Sequence, residues 1–354
     1  MEEKLPEIGK ISPEIFNKII YPHLGVENKN ILVPPTHGID TGIVSLGNGK
    51  VMATTTDPIF IVPAYGFKKA AWFAVHILVS DAVTSGLAPT YITMDFNLPL
   101  TITTEEFTEM WLTMDKEFKE MGISVISGHT AKYAGVDYPM VGGATVICIG
   151  DEDKYVTPYF VEKGDDIVIT KGAAVEAAGL FIVTFPEVIK KEFGEQFFKE
   201  AENIFWDMSV VKDATIAVEV GVRDNGVTSM HDATECGVIG GLFEIASTAH
   251  KGIEIYKDNI PVKDKVKQIC EFFNIDPFIS ISEGTLLITV RPHKTEELIN
   301  KLNKAGIEAA KIGKIVDEKD GLNIIENGKK SELKHPRIDP FWPAFDNAFK
   351  KYGG

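Results

Sequence analysis

Apolar and polar residues recur at two different periods along this chain, and the switches between them outline its elements. ILVPP (31–35) and KVMATTTD (50–57) are rich in β-branched residues and punctuated by turn formers, which predicts strands. KKAAWFAVHILVSDAVTSG (68–86) is apolar on nearly every side and ends on Gly86, which predicts a buried helix. YITMDFNLPL (91–100) reads as a strand again. TTEEFTEMWLTMDKEFKEMG (103–122) is the clearest helix. Thr103 and Glu106 have capping-box spacing, Phe107, Met110, Trp111, Met114, Phe118 and Met121 form one apolar face, and Gly122 suits the C-terminal stop. That methionine and aromatic stripe is read as core, not as a cofactor surface. MVGGATVICIG (140–150) predicts a further strand.

A second alternating unit begins near Val161. EKGDDIVITKGAAVEAAGL (162–180) predicts a strand, a short turn and a helix, with Asp165 and Asp166 in a solvated turn before the strand. A helix is expected over 209–221, another at VKQICEFF (266–273), and a strand at ISEGTLLITV (281–290). In HDATECGVIGGLFEIASTA (231–249), Asp232 is expected to open a helix, with Glu235 on the same side of its first turn. The result is two α/β domains, 1–155 and 156–333, with a boundary near 151–162 and a Pro- and aromatic-rich tail at 334–354.

Composition narrows the function classes. With 354 residues, 44% of them hydrophobic, the chain can bury one large core or two ordinary ones. No run of about 18 apolar residues suggests a membrane span, and the charged N-terminus, MEEKLPEIGK, lacks an apolar signal core, so a cytoplasmic protein is expected. A formal net charge of -15 with no basic stripe argues against nucleic acid as a partner. The three cysteines, Cys148, Cys236 and Cys270, lie far apart and form neither a metal pair nor a disulfide framework.

Four acids stand apart from the charge-rich surface patterns. Asp40 lies in the Gly-flanked turn THGIDTGIV, Asp57 ends the strand VMATTT before Pro58, Asp81 is the acid in an otherwise apolar helix, and Asp232 begins HDATECG. A buried carboxylate is costly unless paired, and a hard cation such as magnesium takes carboxylate oxygens while sharing phosphate oxygens. Each acid can equally be a helix or turn cap. ISGHTAKY (126–133) sets Gly128, His129, Thr130 and Lys132 after a strand, a pattern able to receive phosphate but weak alone. The N-terminus of the helix after HDATECG is a second anion-favouring end.

Taken in order, these motifs resemble one superfamily. GKISPEIFNKIIYPHLG is similar to the N-terminal segment of HypE-like proteins, GIDTGIV to their GDDAAV motif, and TTTDPI to the TTD motif. AVHILVSDAVTSGLAPTY resembles AVHxxxNDxAxxGAxPxx, ISGHTAKY the GGDT, GGET or GGHTE loop, and MHDATECGVIGG the HDPTEGGL motif. GDDIVITKGAAVEAAGL and ISEGTLLITV match the opening and late motifs of the second domain. The resemblance runs from about residue 9 to 316. It is to the superfamily of aminoimidazole ribonucleotide synthetase, hydrogenase-maturation protein HypE, selenophosphate synthetase and thiamine-monophosphate kinase, in its HypE-like branch.

The resemblance implies an α/β (α+β) two-domain fold whose N-domain sheets pair into a barrel across a homodimer, through residues near 31–62 and 91–100. It implies ATP and Mg2+ as cofactors, with Asp40, Asp57 and Asp81 on the metal, His129, Thr130, Lys132 and Thr234 on the nucleotide, and Asp232, Glu235 and Glu283 in catalytic roles. The implied chemistry is activation of a substrate oxygen by phosphoryl transfer, the substrate being a small molecule or a partner protein. Some positions depart from the pattern: Ile39, Ser80 and Ala131 replace an aspartate, an asparagine and a glutamate, and Cys236 stands where glycine is usual. The chain ends in KKYGG, without the terminal cysteine that HypE proper dehydrates, so self-dehydration is not expected. Two other readings fit the motifs: a non-catalytic nucleotide-binding scaffold, which the departures favour, and a thiamine-monophosphate-kinase-like kinase.

Overall fold

The structure is a computed structural model that describes residue 11 and residues 13–353; MEEKLPEIGK and the first residues of the 9–25 motif lie outside the described residues. The first unit runs α1 (Pro13–Ile15), β1 (Ile31–Val33), β2 (Gly42–Gly47), β3 (Lys50–Phe60), α2 (Phe67–Val83), β4 (Pro89–Leu98), α3 (Thr104–Met121), β5 (Ser124–Lys132) and β6 (Met140–Asp151). Its strands form one sheet in the order β1-β2-β3-β6-β4-β5. All neighbours are antiparallel except β4 and β5, which α3 joins by a crossover. The sequence sets the start and stop of α3. Thr103 Oγ1 accepts from the Glu106 amide at 3.2 Å, Glu106 Oε2 accepts from the Thr103 amide at 2.8 Å, and Gly122 ends the helix at φ 75°.

The second unit contains β7 (Asp166–Thr170), α4 (Val175–Thr184), α5 (Pro186–Phe193), α6 (Glu195–Ala201), α7 (Val211–Ala217), β8 (Val227–Asp232), α8 (Gly237–Ala249) and β9 (Gly252–Tyr256). It continues through α9 (Asp264–Phe273), β10 (Leu286–Val290), α10 (Thr295–Lys304), β11 (Ala309–Val316), β12 (Leu322–Glu326), β13 (Lys329–Glu332) and α11 (Phe341–Tyr352). The sheet order is β13-β12-β9-β11-β7-β10-β8. Strands β7, β10 and β8 are buried throughout, which is why they read as apolar runs rather than alternations. No helix among the described residues is long and apolar enough to cross a membrane.

Helix α2 is apolar all round because it is covered all round. Ala70, Ala71, Ala74, Val75, Leu78, Val79 and Ala82 join a core that also takes in Val51 and Ala53 of β3, Met110 and Met114 of α3, and Ala214 and Ala217 of α7. Polar ties fix the two units together across it. Ser80 Oγ accepts from the Val210 amide at 3.1 Å, and His76 Nδ1 lies 2.7 Å from Ser209 Oγ.

Two local expectations are corrected, and a third stretch gains an element. Asp165 and Asp166 are not solvated; they are 1% and 6% exposed at the entry to β7. Because β7 is central, flanked by β10 and β11, its ends are covered too, and the two acids are matched by Arg291 and Lys311 at 2.8 and 2.7 Å. Asp232 ends β8 instead of opening a helix, which starts only at Gly237. The C-terminal stretch is the helix α11, whose Phe341 stacks edge-on to Phe181 at 5.1 Å within the second unit's core.

Candidate functional site

Strand parity starts the site. Along β3, Val51, Ala53 and Thr55 are buried on the side facing α2, and Asp57 continues that side. Asp81 lies in the last turn of α2 opposite them, and Thr55 Oγ1 donates to Asp81 Oδ2 at 3.3 Å. The second unit brings two more acids from the ends of paired strands: Asp232 closes β8, opposite Leu286 of β10, and Glu283 lies three residues before Leu286. Asp40, in the loop before β2, reaches the same place through His231.

Burial, then the neighbouring charges of Asp232, Asp57 and Asp40, push the Asp81 carboxyl well above the usual range. Burial likewise raises Glu283, with Asp232 and Glu176 adding to it. Asp57 Oδ2 and Glu283 Oε2 are buried with no hydrogen-bond partner in the structure. The raised Asp81 and Glu283 carboxyls and the unmatched Asp57 and Glu283 oxygens are short of counter-charge. Hard oxygen donors of this kind fit a magnesium ion shared with phosphate oxygens.

Asp40, His231 and Asp232 also bring one ligand atom each within 4.8 Å of one another. His231 serves that group better as a cation than as a ligand. Its Nδ1 lies 2.9 and 3.1 Å from the two Asp40 oxygens and its Nε2 lies 2.9 Å from Glu244. Burial opposes charge on the ring, but Asp40 and Glu244 outweigh it and hold its pKa well above the usual histidine value. Both ring nitrogens are therefore committed to donating, and no lone pair is left for a metal.

Part of this group lines a cleft of about 620 Å³. Asp57, Asp81, Glu176, Thr234, Glu235 and Glu283 are its polar lining, and the rest of the lining is mostly apolar and aromatic. The loop between β8 and α8 is shaped for close approach: Cys236 and Gly237 take φ of 61° and 57°, and a Cβ on Gly237 would meet Ser280 O at 2.4 Å. Cys236 is 4% exposed, and its amide donates to Asp339 Oδ2 at 2.7 Å, a buried place suited to a small residue. Cys148 and Cys270 are buried as well, each thiol pushed up to about 12.

The structure thus gathers Asp40, Asp57, Asp81, Asp232 and Glu283, with Thr234 and Glu235 beside them. It does not bring His129, Thr130 and Lys132 to this group within one chain. They lie on the exposed edge strand β5, three strands from Asp57 through β6 and β4, or about 14 Å. There His129 pairs with the Tyr133 hydroxyl at 2.9 Å, and Lys132 donates to Ile102 O at 2.7 Å. Sequence reasoning missed His231, Glu244 and Glu176. His231 adjoins Asp232, so its position carried a signal; Glu244 and Glu176 sit in helices with no local pattern to mark them.

Comparison with known proteins places this geometry. The N-terminal domain of AIR synthase related protein matches residues 38–150, and its C-terminal domain matches residues 162–324. A hydrogenase expression/formation protein of Methanocaldococcus jannaschii is 24% identical over 323 residues, 89% of this chain and 91% of the relative. Carbamoyl dehydratase HypE of Escherichia coli is 24% identical over 303 residues, 83% of this chain and 85% of that protein. A solved structure of hydrogenase maturation protein HypE in complex with ATP superposes with a TM-score of 0.60 at 18% identity, covering 94% of this chain and 97% of that one. With both halves matched in order, the chain belongs to the AIR synthase related family, on the HypE-like side of its mixed α/β, two-domain fold.

Proposed function

We propose that this protein is an ATP- and magnesium-dependent enzyme that activates a substrate oxygen by phosphoryl transfer. The observation that carries the reading is the cluster of Asp57, Asp81, Asp232 and Glu283: carboxylates from two domains converge, the pKa values of Asp81 and Glu283 are raised, and buried oxygens of Asp57 and Glu283 are left unmatched. Such an arrangement is unfavourable in an empty protein and is relieved by a cation carrying phosphate. The ATP complex of a HypE supports the nucleotide.

Asp40, Asp57, Asp81 and Asp232 are the carboxylates that would hold magnesium, which supplies charge neutralisation for the phosphates when bound. His231, fixed between Asp40 and Glu244, holds the Asp40 carboxylate in one orientation. Glu283 and Glu235 face the cleft and orient the substrate. In the reaction, a substrate oxygen forms a bond to the terminal phosphorus while the bridging bond to the β-phosphate breaks, and ADP leaves. Partial exclusion of water between the domains strengthens each of these electrostatic contacts.

The protein acts as a homodimer in this reading. Residues 91–98 fall in β4, which β5 already covers, so in place of the 91–100 stretch the edge strand β5, with Val125 and Ile126 exposed, would meet the second copy and bring His129, Thr130 and Lys132 to the shared groove. Calorimetry with ATP tests the reading: binding should require magnesium. Equal binding in magnesium and in a chelator would overturn it.

A further inference from the structure

The cleft beside the acid cluster has a second chemistry that phosphate binding does not use. Besides the carboxylates, its lining includes Tyr65 and Phe73 of the first unit, Leu180 of α4, and Phe341, Trp342 and Phe345 of α11. Five of the residues lining it are carboxylates (Asp57, Asp81, Glu176, Glu235 and Glu283), and none is lysine, arginine or histidine. Glu283, 1% exposed, is one of the lining residues, and its buried Oε2 has no hydrogen-bond partner. Trp342, by contrast, is 41% exposed at the rim, and Phe349 matches it.

A cleft lined by both aromatic rings and carboxylates favours one kind of small molecule. The ring faces attract a cation, the apolar body of the ligand displaces water from the wall, and an ammonium donates to carboxylate oxygens. An anion of the same shape meets only like charge, since no basic side chain lines the cleft. We propose that this cleft binds a small amine with an aromatic or branched aliphatic body, the body against α11 and the ammonium on Glu283, with Glu176 and Glu235 alongside. The site rests on the proposed function only in placing that amine next to the nucleotide, where an oxygen on its body would be the group activated; the binding itself does not depend on ATP.

The position of α11 strengthens the assignment. Asp339, just before the helix, accepts from the Cys236 amide in the loop that carries Thr234 and Glu235, and from the Phe341 amide at 2.9 Å. The apolar and acidic parts of the lining are thus tied to one another, and both halves of the ligand are met by a single connected structure.

The test uses the full-length protein and three probes of matched shape: phenethylamine, phenethyl alcohol and 3-phenylpropanoate. Titrations followed by calorimetry and tryptophan fluorescence should rank them amine first, alcohol second and acid last. Glu283→Gln should weaken the amine by about ten- to a hundredfold, the loss of a charged hydrogen bond, and change the alcohol little. Phe345→Ala should weaken amine and alcohol alike. Repeating the amine titration with ATP and magnesium present should retain binding. The inference is overturned if no probe binds, if the acid binds as well as the amine, if Glu283→Gln leaves the amine-to-alcohol ratio unchanged, or if ATP displaces the amine. Amine binding in a protein that binds no ATP would sink the proposed function and leave this site standing. The reverse result would sink the site alone.

Discussion

Asp81→Asn separates a ligand-binding role from a structural one. In the protein without nucleotide, Asp81 is pressed by burial and by Asp232, Asp57 and Asp40, and its side-chain hydrogen bond from Thr55 is long at 3.3 Å. An asparagine oxygen accepts from Thr55 equally well, while the like-charge repulsion disappears. Stability without ligand should therefore be unchanged or higher, by up to about 1–2 kcal/mol, the usual yield of relieving surface or site charge. Saturating ATP and magnesium at about 100 times the dissociation constant should stabilise the wild type by about 2.7 kcal/mol, and the variant should lose most of that increment. Thermal melts of both proteins, with and without ATP and magnesium, read the four values. If Asp81 instead serves as a cap or buried ion-pair partner, its loss should destabilise the ligand-free protein by roughly 1–4 kcal/mol. A variant that melts lower without ligand and keeps its full ATP shift would refute the reasoning.

Two further outcomes follow from the second unit. Arg291→Met should destabilise the protein by about 3–5 kcal/mol in urea unfolding, because it leaves Asp165, 1% exposed, without its cation; a loss under about 1 kcal/mol would mean that Thr228 and the Glu162 amide suffice for that carboxylate. Asp339 gives a pH dependence. Burial raises its pKa to about 6 despite the Phe341 and Cys236 amides, so the folded protein holds this proton more tightly than the unfolded chain. Its contribution to stability then grows as pH falls through that value, by about 1.4 kcal/mol between pH 7.5 and pH 5. Asp339→Asn should lack this increment, and parallel stability–pH curves for the two proteins would contradict it.

The elements with strong local signals were legible in the sequence. The α3 helix was specified by its own capping box, apolar face and terminal glycine, and α2 by an unbroken apolar run around one acid. What failed was local chemistry overridden by tertiary context. Asp165 and Asp166 look like turn residues until the sheet covers the start of β7. The tail was assigned no element; its Pro340 caps α11 and Pro343 sits in the first turn, where no helical amide is needed. The spacing of Phe341, Phe345 and Ala348 was the overlooked sign of that helix. In the site, motif order pointed to Asp57, Asp81, Asp232 and Glu283, but only the pairing of β8 with β10 explains why the last two meet. Ser80, read as a departure, ties α2 to the Val210 amide, a role no local pattern announces.

The central claim is that these carboxylates hold a divalent cation together with nucleotide, and Mn2+ in place of Mg2+ tests it most directly. Electron paramagnetic resonance follows the free-ion signal as protein and ATP are added. Wild type with ATP should deplete free Mn2+ saturably, Asp57→Asn should weaken that binding by at least about tenfold, and Asp115→Asn, on the outer face of α3, should not change it. Equal depletion by wild type and Asp57→Asn, or none beyond that of ATP alone, would contradict the account.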